Sequence, residues 1–149
     1  MSETTDIHDR TDRLDVRKSS LAGSTFNDVN LSNSCVTNAN LSVLTVSSAN
    51  LTNARFSDVN MSNAHFDDVN LSVAEFKGTA LPNVRFEDVA LAGATFSDAN
   101  LAGARFENVN MSNVSIDNAL LAGMTIDGVR VTDLFAAFRA QTDNKQDGS

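Results

Sequence analysis

Tryptophan and tyrosine are absent from this 149-residue chain, and cysteine and proline occur once each. Apolar volume must therefore come from nine Phe and from small or aliphatic side chains, which bring the hydrophobic share to 42%, enough for one domain. A single cysteine, Cys35, excludes an internal disulfide and agrees with a reducing compartment. Basic residues are in the minority. Eleven Lys and Arg face nineteen Asp and Glu, for a net charge of -8 and a pI near 4.5. That balance disfavours direct binding to nucleic acid or to an anionic membrane. No apolar run approaches spanning length, and residues 1–18 are too charged for a signal peptide. The expected address is the cytoplasm.

What the chain does have is a repeat. Every fifth residue from Val16 to Val131 is large and apolar, through Leu21, Phe26, Leu31, Val36 and onward, which makes 24 consecutive five-residue units. Thr11 breaks the series at the front. A second column, mostly small, lies two residues before each centre, as at Ser24, Val29, Ala39, Ala54, Ala64 and Ala94. In an extended chain, positions i−2 and i point the same way while i−1 points outward. Each unit thus buries two side chains and then turns a corner through two polar or small residues. A period of five fits neither a helix nor a long strand.

The two inward columns compensate in volume. Phe centres are paired with Ser24, Ala54, Ala64, Ala74, Val84, Ala94 or Ala104. Smaller centres carry larger partners, as Leu44 with Val46, Val114 with Ile116 and Met124 with Ile126. Close-packed interiors require such an exchange. Ser34 with Val36 departs from it, and looser packing is expected there.

The run from Ala54 to Ser72, with its Phe-x-Asp-Val-Asn-Leu-Ser units, resembles the pentapeptide-repeat family, whose consensus is A(N/D)LXX. The resemblance covers residues 14–133. It implies an all-β fold, a right-handed quadrilateral β-helix with four units per coil, hence about six coils of 20 residues. At about 4.8 Å between neighbouring strands, the coiled part is about 25–30 Å long. Residues 1–13 and 141–149 read as disordered polar tails. Residues 134–140 read as a short helix that Asp133 can cap, with Leu134, Phe135 and Phe138 on one face. This helix is either a lid over the last coil or a dimer contact. Leu120, in an outward slot near the same end, fits the contact, and the resemblance implies homodimers through C-terminal coils.

Wrapping the sequence at 20 residues per coil sorts the outward residues. The faces centred on Leu21, Leu41, Met61, Leu81, Leu101 and Leu121, and on Leu31, Leu51, Leu71, Leu91, Met111 and Val131, are almost uncharged. The face centred on Phe26, Val46, Phe66, Phe86, Phe106 and Ile126 carries Asp28, Asp67, Asp68, Glu87, Asp88, Glu107 and Asp127 against Arg85 and Arg105. This is the candidate binding face. The opposite face carries Asp58, Glu75, Asp98 and Asp117 against Arg55 and Lys77.

Two roles for the rod follow. One is a non-enzymatic scaffold that binds a protein partner. The other, implied by the resemblance to quinolone-resistance and toxin-immunity members, is an acidic DNA mimic that engages a type II topoisomerase such as DNA gyrase. Charge density weakens the second, because about 25 Å of duplex carries about 15 charges and this stripe carries seven acids less two arginines. No catalytic, cofactor or metal constellation is expected. His65 sits outward between Thr45 and Arg85 in its column, hydroxyls have no histidine beside them, and Cys35 is an outward thiol with no activating group in its motif. Asn-x-Ser tripeptides are by-products of the repeat, and Gly93, Gly103 and Gly123 are corner residues.

Overall fold

The computed structural model describes residues 6–7, 14–146 and 148. The chain is a β-solenoid of about six coils with one C-terminal helix. Short strands two to six residues long stack into two mainly parallel sheets on opposite sides of the rod. The first has eight strands, six of them running from Thr25–Asn27 through Arg105–Glu107 to Thr125–Ile126. The second has six strands, from Asp15–Arg17 to Ser115–Asp117. Isolated bridges such as Asn40↔Asn60 and Asn70↔Ala90 form the two remaining, Leu-centred sides.

The register is 20 residues throughout the coils, so Phe66 pairs with Phe86 and Phe86 with Phe106. Each inward side chain therefore lies on its counterpart in the next coil. The result is two Phe ladders. Phe56, Phe76 and Phe96 stack with ring centroids 5.0 and 4.6 Å apart, and Phe66, Phe86 and Phe106 stack at 5.1 and 4.8 Å. Phe96 also meets Phe86 and Phe106 edge-on at 6.4 and 6.3 Å, which joins the ladders across the axis. Aromatic pairs of this geometry add about 0.5–1.5 kcal/mol each beyond their area burial.

Corners are made the same way in nearly every unit. The second residue after each centre takes a positive φ, and it is usually Asn, Asp or Gly, the residues that tolerate the left-handed region. After a Leu or Met centre the corner is a hydrogen-bonded turn, as Ser24 N–H donates to Leu21 O at 3.1 Å and Ala64 N–H to Met61 O at 3.1 Å. With φ positive at the third residue this is a type II turn. On both kinds of side the corner residue also bonds the next coil, as Gly23 N–H does to Ser42 O at 2.9 Å and Asp28 N–H to Ser47 O at 3.1 Å. At Gly103, φ +69, an added methyl would also run into the Asn83 carboxamide oxygen.

The loose packing expected around Ser34 and Val36 is present. A cavity of about 20 Å³ is lined by both, together with Leu14, Val46 and Phe56. The buried Ser34 hydroxyl accepts a hydrogen bond from Leu14 N–H at 3.0 Å, so it is satisfied despite its place in the core. Thr79 fills the corresponding inward slot before Leu81, with its buried hydroxyl unpaired.

Both ends differ from the sequence expectation. Asp6–Ile7, placed in a polar tail, forms a strand parallel to Thr25–Phe26. Its offset from that strand is 19 residues instead of 20, which is why Ile7 escapes a strict five-residue register. The rest of residues 1–13 lies outside the described residues. At the other end Val131 is not a twenty-fourth unit. Asp127 and Gly128, with φ of 45° and 78°, make a type I′ reversal, and Val129–Arg130 runs back antiparallel to Thr125–Ile126. Val131, still buried, then begins a helix that extends to Gln146, beyond both ends of the expected 134–140. The expected tail from 141 is thus helical to 146, because Gln141–Gln146 contains neither Gly nor Pro to stop it and Lys145 suits the last turn.

Four corners lack Asn, Asp and Gly, at Lys18, Val43, Ser48 and Val73. Val43 and Val73 hold φ of 58° and 59° and are 58% and 54% exposed, so neither gains burial in return. Replacing either by Asn should raise the unfolding free energy by about 0.5–1 kcal/mol, since β-branched residues are strained there; urea titration measures this. Phe86→Ala, which removes a ring in contact with Phe66, Phe96 and Phe106, should lose about 3–5 kcal/mol in the same titration.

Candidate functional site

Strand alternation places the candidate acids on the outside of the eight-stranded sheet in two adjacent columns. Asp67, Glu87 and Glu107 follow their Phe centres by one residue, and Asp28, Asp68 and Asp88 follow by two, at the corner. The corner column borders an open groove of about 610 Å³, floored by Asn30, Asn50, Asn70 and Ala90. A second recess of about 400 Å³ continues it past Asp88, Asn108 and Asn110. The periodic sequence had assigned all seven acids to one face. The structure splits them into a strand column and a groove edge.

The two columns differ in how far their charge is offset. Arg85 Nε lies 3.5 Å from Glu87 Oε2, and Arg85 Nη2 lies 3.5 Å from Glu107 Oε2. His65 Nε2 also lies 3.5 Å from Glu87, so its acidic neighbour is one coil away and not the adjacent Asp67 and Asp68. Glu87 and Glu107 therefore belong to a chain of side chains that crosses three coils. Sequence reasoning placed Arg85 in the stripe but could not give its side-chain direction. Among the described residues, no lysine or arginine forms an ion pair with Asp67, Asp68 or Asp88.

The groove acids are instead held by neutral donors. Ser48 Oγ donates to Asp68 Oδ2 at 3.2 Å, and Asn108 Nδ2 donates to Asp88 Oδ1. Asp127 accepts from Asn108 N–H at 2.9 Å, which ties the last reversal to the coil before it. Such contacts fix the carboxylates without removing their charge. On the Leu-centred sides the asparagines use their acceptors internally. Asn30, Asn40, Asn50, Asn60, Asn70, Asn100 and Asn110 each accept the N–H two residues ahead, at 3.0–3.2 Å. Those faces are almost uncharged.

On the opposite sheet Arg55 lies 3.4 Å from Glu75, and Arg17 grips Asp15 through two bonds of 2.8 and 2.9 Å. The Asp15 carboxylate pushes the pKa of Arg17 up further, through hydrogen bonding first and charge second. Cys35 is half-buried in a groove of about 420 Å³ with Arg55, Val73 and Glu75, and its Sγ lies 3.7 Å from Thr37 Oγ1. His65 is on the other sheet, so among the described residues no imidazole serves that thiol. Among the described residues no group of three His, Cys, Asp or Glu side chains could hold a metal ion. Nor, among the described residues, is any helix long and apolar enough to cross a membrane.

The candidate cap residues lie in the open. Leu134, Phe135 and Phe138 are 46%, 49% and 65% exposed, and Leu120 is 54% exposed. Met111, Val114, Ile116, Leu121 and Ile126 of the last coil are only half-buried, whereas their counterparts one coil earlier are fully covered. The helix meets the solenoid at Val129–Arg130 and does not lie as a lid across its end.

Residues 17–83 match the family description of the pentapeptide repeat region, and residues 91–123 match that of pentapeptide repeats in 8 copies. The chain belongs to the pentapeptide-repeat family. No protein in the curated set matches its sequence. Among solved pentapeptide-repeat structures it is similar to Rfr23 from the cyanobacterium Cyanothece 51142, at 21% identity, 84% of each chain and a TM-score of 0.43. It is similar to HetL, involved in heterocyst differentiation regulation in Nostoc sp. strain PCC 7120, at 12% identity, 84% of this chain, 90% of that one and a TM-score of 0.37. Full-length QnrB1, a plasmid-mediated fluoroquinolone resistance protein, aligns at 14% identity over 91% of this chain and 99% of that one, with a TM-score of 0.30. These likenesses are of fold alone.

Because Arg85 is 46% exposed, its two ion pairs are screened by solvent. Arg85→Ala should change the unfolding free energy by less than about 1 kcal/mol in urea titration.

Proposed function

We propose that this pentapeptide-repeat protein is a non-enzymatic binding rod whose docking surface for a protein partner is the acidic side of the eight-stranded sheet. The observation that carries this reading is the groove edge of Asp28, Asp68 and Asp88, rigidly placed on the coils and open over about 610 Å³. A regular backbone holds the carboxylates at fixed spacing, so a basic protein surface meets them with little ordering cost. Glu87 and Glu107 contribute less, because Arg85 already sits between them. The neutral Asn and Ser faces contribute shape without charge.

A type II topoisomerase is one such partner, since it presents a surface built for a phosphate backbone. The same partial neutralisation lowers the resemblance of this face to duplex DNA, and the general binding role stands first. The rod works as a homodimer joined at its C-terminal end, where half-buried core side chains of the last coil, Leu120 and the Leu134–Phe135–Phe138 stripe are left uncovered. Joining two rods there doubles the length of acidic surface.

DNA gyrase supercoiling in the presence of increasing protein tests the partner class. Inhibition by the natural chain that is lost in an Asp68→Lys/Asp88→Lys variant, and retained in Glu87→Gln/Glu107→Gln, would place the topoisomerase on the groove edge. Absence of inhibition removes the topoisomerase reading. Affinity capture with the same two variants then tests the general one, which predicts salt-sensitive partners lost only from the lysine variant.

A further inference from the structure

Volume is missing from the core of the first coils. Ser34 and Val36 are both small and both buried. Two units away along the chain in either direction, one member of the inward pair is large: Ser24 goes with Phe26, and Leu44 with Val46. In the column of Val36 the next coil supplies the ring of Phe56, followed by Phe76 and Phe96. Val36 thus stands where the ladder would place another ring, and Val16 continues the column without one. The shortfall is the cavity of about 20 Å³. Interiors usually close such gaps by relaxing onto them. Here backbone pairing holds successive coils at strand spacing, which keeps the walls apart.

The lining decides what the space accepts. A buried water needs about two to four polar partners. Among the described residues Ser34 is the one polar side chain in the wall, and its hydroxyl already accepts from Leu14 N–H at 3.0 Å. The cavity is therefore dry. Its volume of about 20 Å³ is a little above the roughly 10–15 Å³ that one water-sized particle requires, so an aromatic or branched ligand is too large. Atoms of Val36, Leu44, Val46, Phe56 and Phe66 that face the void lack contact partners on that side. A small polarisable particle restores those contacts without needing a hydrogen bond.

We propose that this cavity is a binding site for a single small apolar gas particle, of the class of xenon and dioxygen. The site lies inside the rod and is independent of the acidic surface. Its outer wall includes Leu14 and Leu21 of the first coil, which are only partly buried. A terminal coil has a neighbour on one side only and opens more readily than the middle of the stack, which gives the particle its way in. Once bound, it stabilises the first coils by mass action.

Carbon-13 methyl spectra of the full chain under rising xenon pressure test this. In the natural chain, saturable shifts are expected at the methyls of Leu14, Val36, Leu44 and Val46. Leu91 and Leu101, fully buried further along the rod, should stay unmoved. Val36→Phe copies the pairing of Ser24 with Phe26, fills the space and should abolish the response. Ser34→Leu copies the pairing of Leu44 with Val46 and should do the same, whereas Val36→Ala widens the space and should keep the response. The dispersion of each methyl spectrum reports whether the coils are intact. Lining methyls of the natural chain that do not shift, or that drift with pressure no more than Leu91 and Leu101, overturn the site. So does a folded Val36→Phe or Ser34→Leu variant whose methyls still saturate.

Discussion

Backbone pairing at a fixed offset of 20 residues is the constraint on which everything else in this molecule rests. Each strand residue is bonded to the residue one coil away, so like side chains stack on like along the whole rod. The consequence inside is a pair of Phe ladders with centroid spacings of 4.6–5.1 Å, close to the distance between neighbouring strands. The core needs no long-range search for complementary shapes, because a ring packed on one coil is packed on the next. Among the described strands the offset departs from 20 at the parallel pairing of Asp6–Ile7 with Thr25–Phe26.

The same constraint shapes the outside. Surface residues inherit columns too, and a charge at one corner is repeated a coil later unless the sequence changes it. That is how Asp68 and Asp88 come to line one groove edge with Asp28 two coils before them. Columns of like charge repel at strand spacing, and the molecule relieves this in two ways. Arg85 and His65 are interleaved with Glu87 and Glu107 on the strands, while Ser48 and Asn108 stand between or beside the aspartates at the corner. Strand column and corner column thus answer the same repulsion with different chemistry, and only the corner keeps its full charge available.

A repeating structure cannot end by repeating. At the C-terminus the solution on one sheet is a reversal at Asp127–Gly128 followed by a helix, and on the other sheet there is none among the described residues. The hairpin was legible as an Asp-Gly dipeptide, yet Val131 kept the five-residue register and concealed it. Periodicity is a poor guide at such a place because an apolar residue satisfies an inward slot whether it arrives by a fifth step or by a turn back. Ile7 shows the reverse case, since its one-residue slip from the register hid a strand that pairs well.

The sequence by itself determined the coil. The five-residue period, the volume exchange between its two inward columns, the corner residues and the soft spot at Ser34 and Val36 are local consequences of a repeated backbone, and each was legible without coordinates. Assigning the seven acids to one face also needed the 20-residue coil that the family resemblance implies, and it did not separate the strand column from the groove edge. Tertiary structure alone decided which of those acids remain free, because the reach of Arg85 to Glu87 and Glu107 depends on side-chain direction between coils. It also decided where the helix goes and which sheet is left open, since ends are defined by contacts that are missing, and a repeat carries no information about its own last copy.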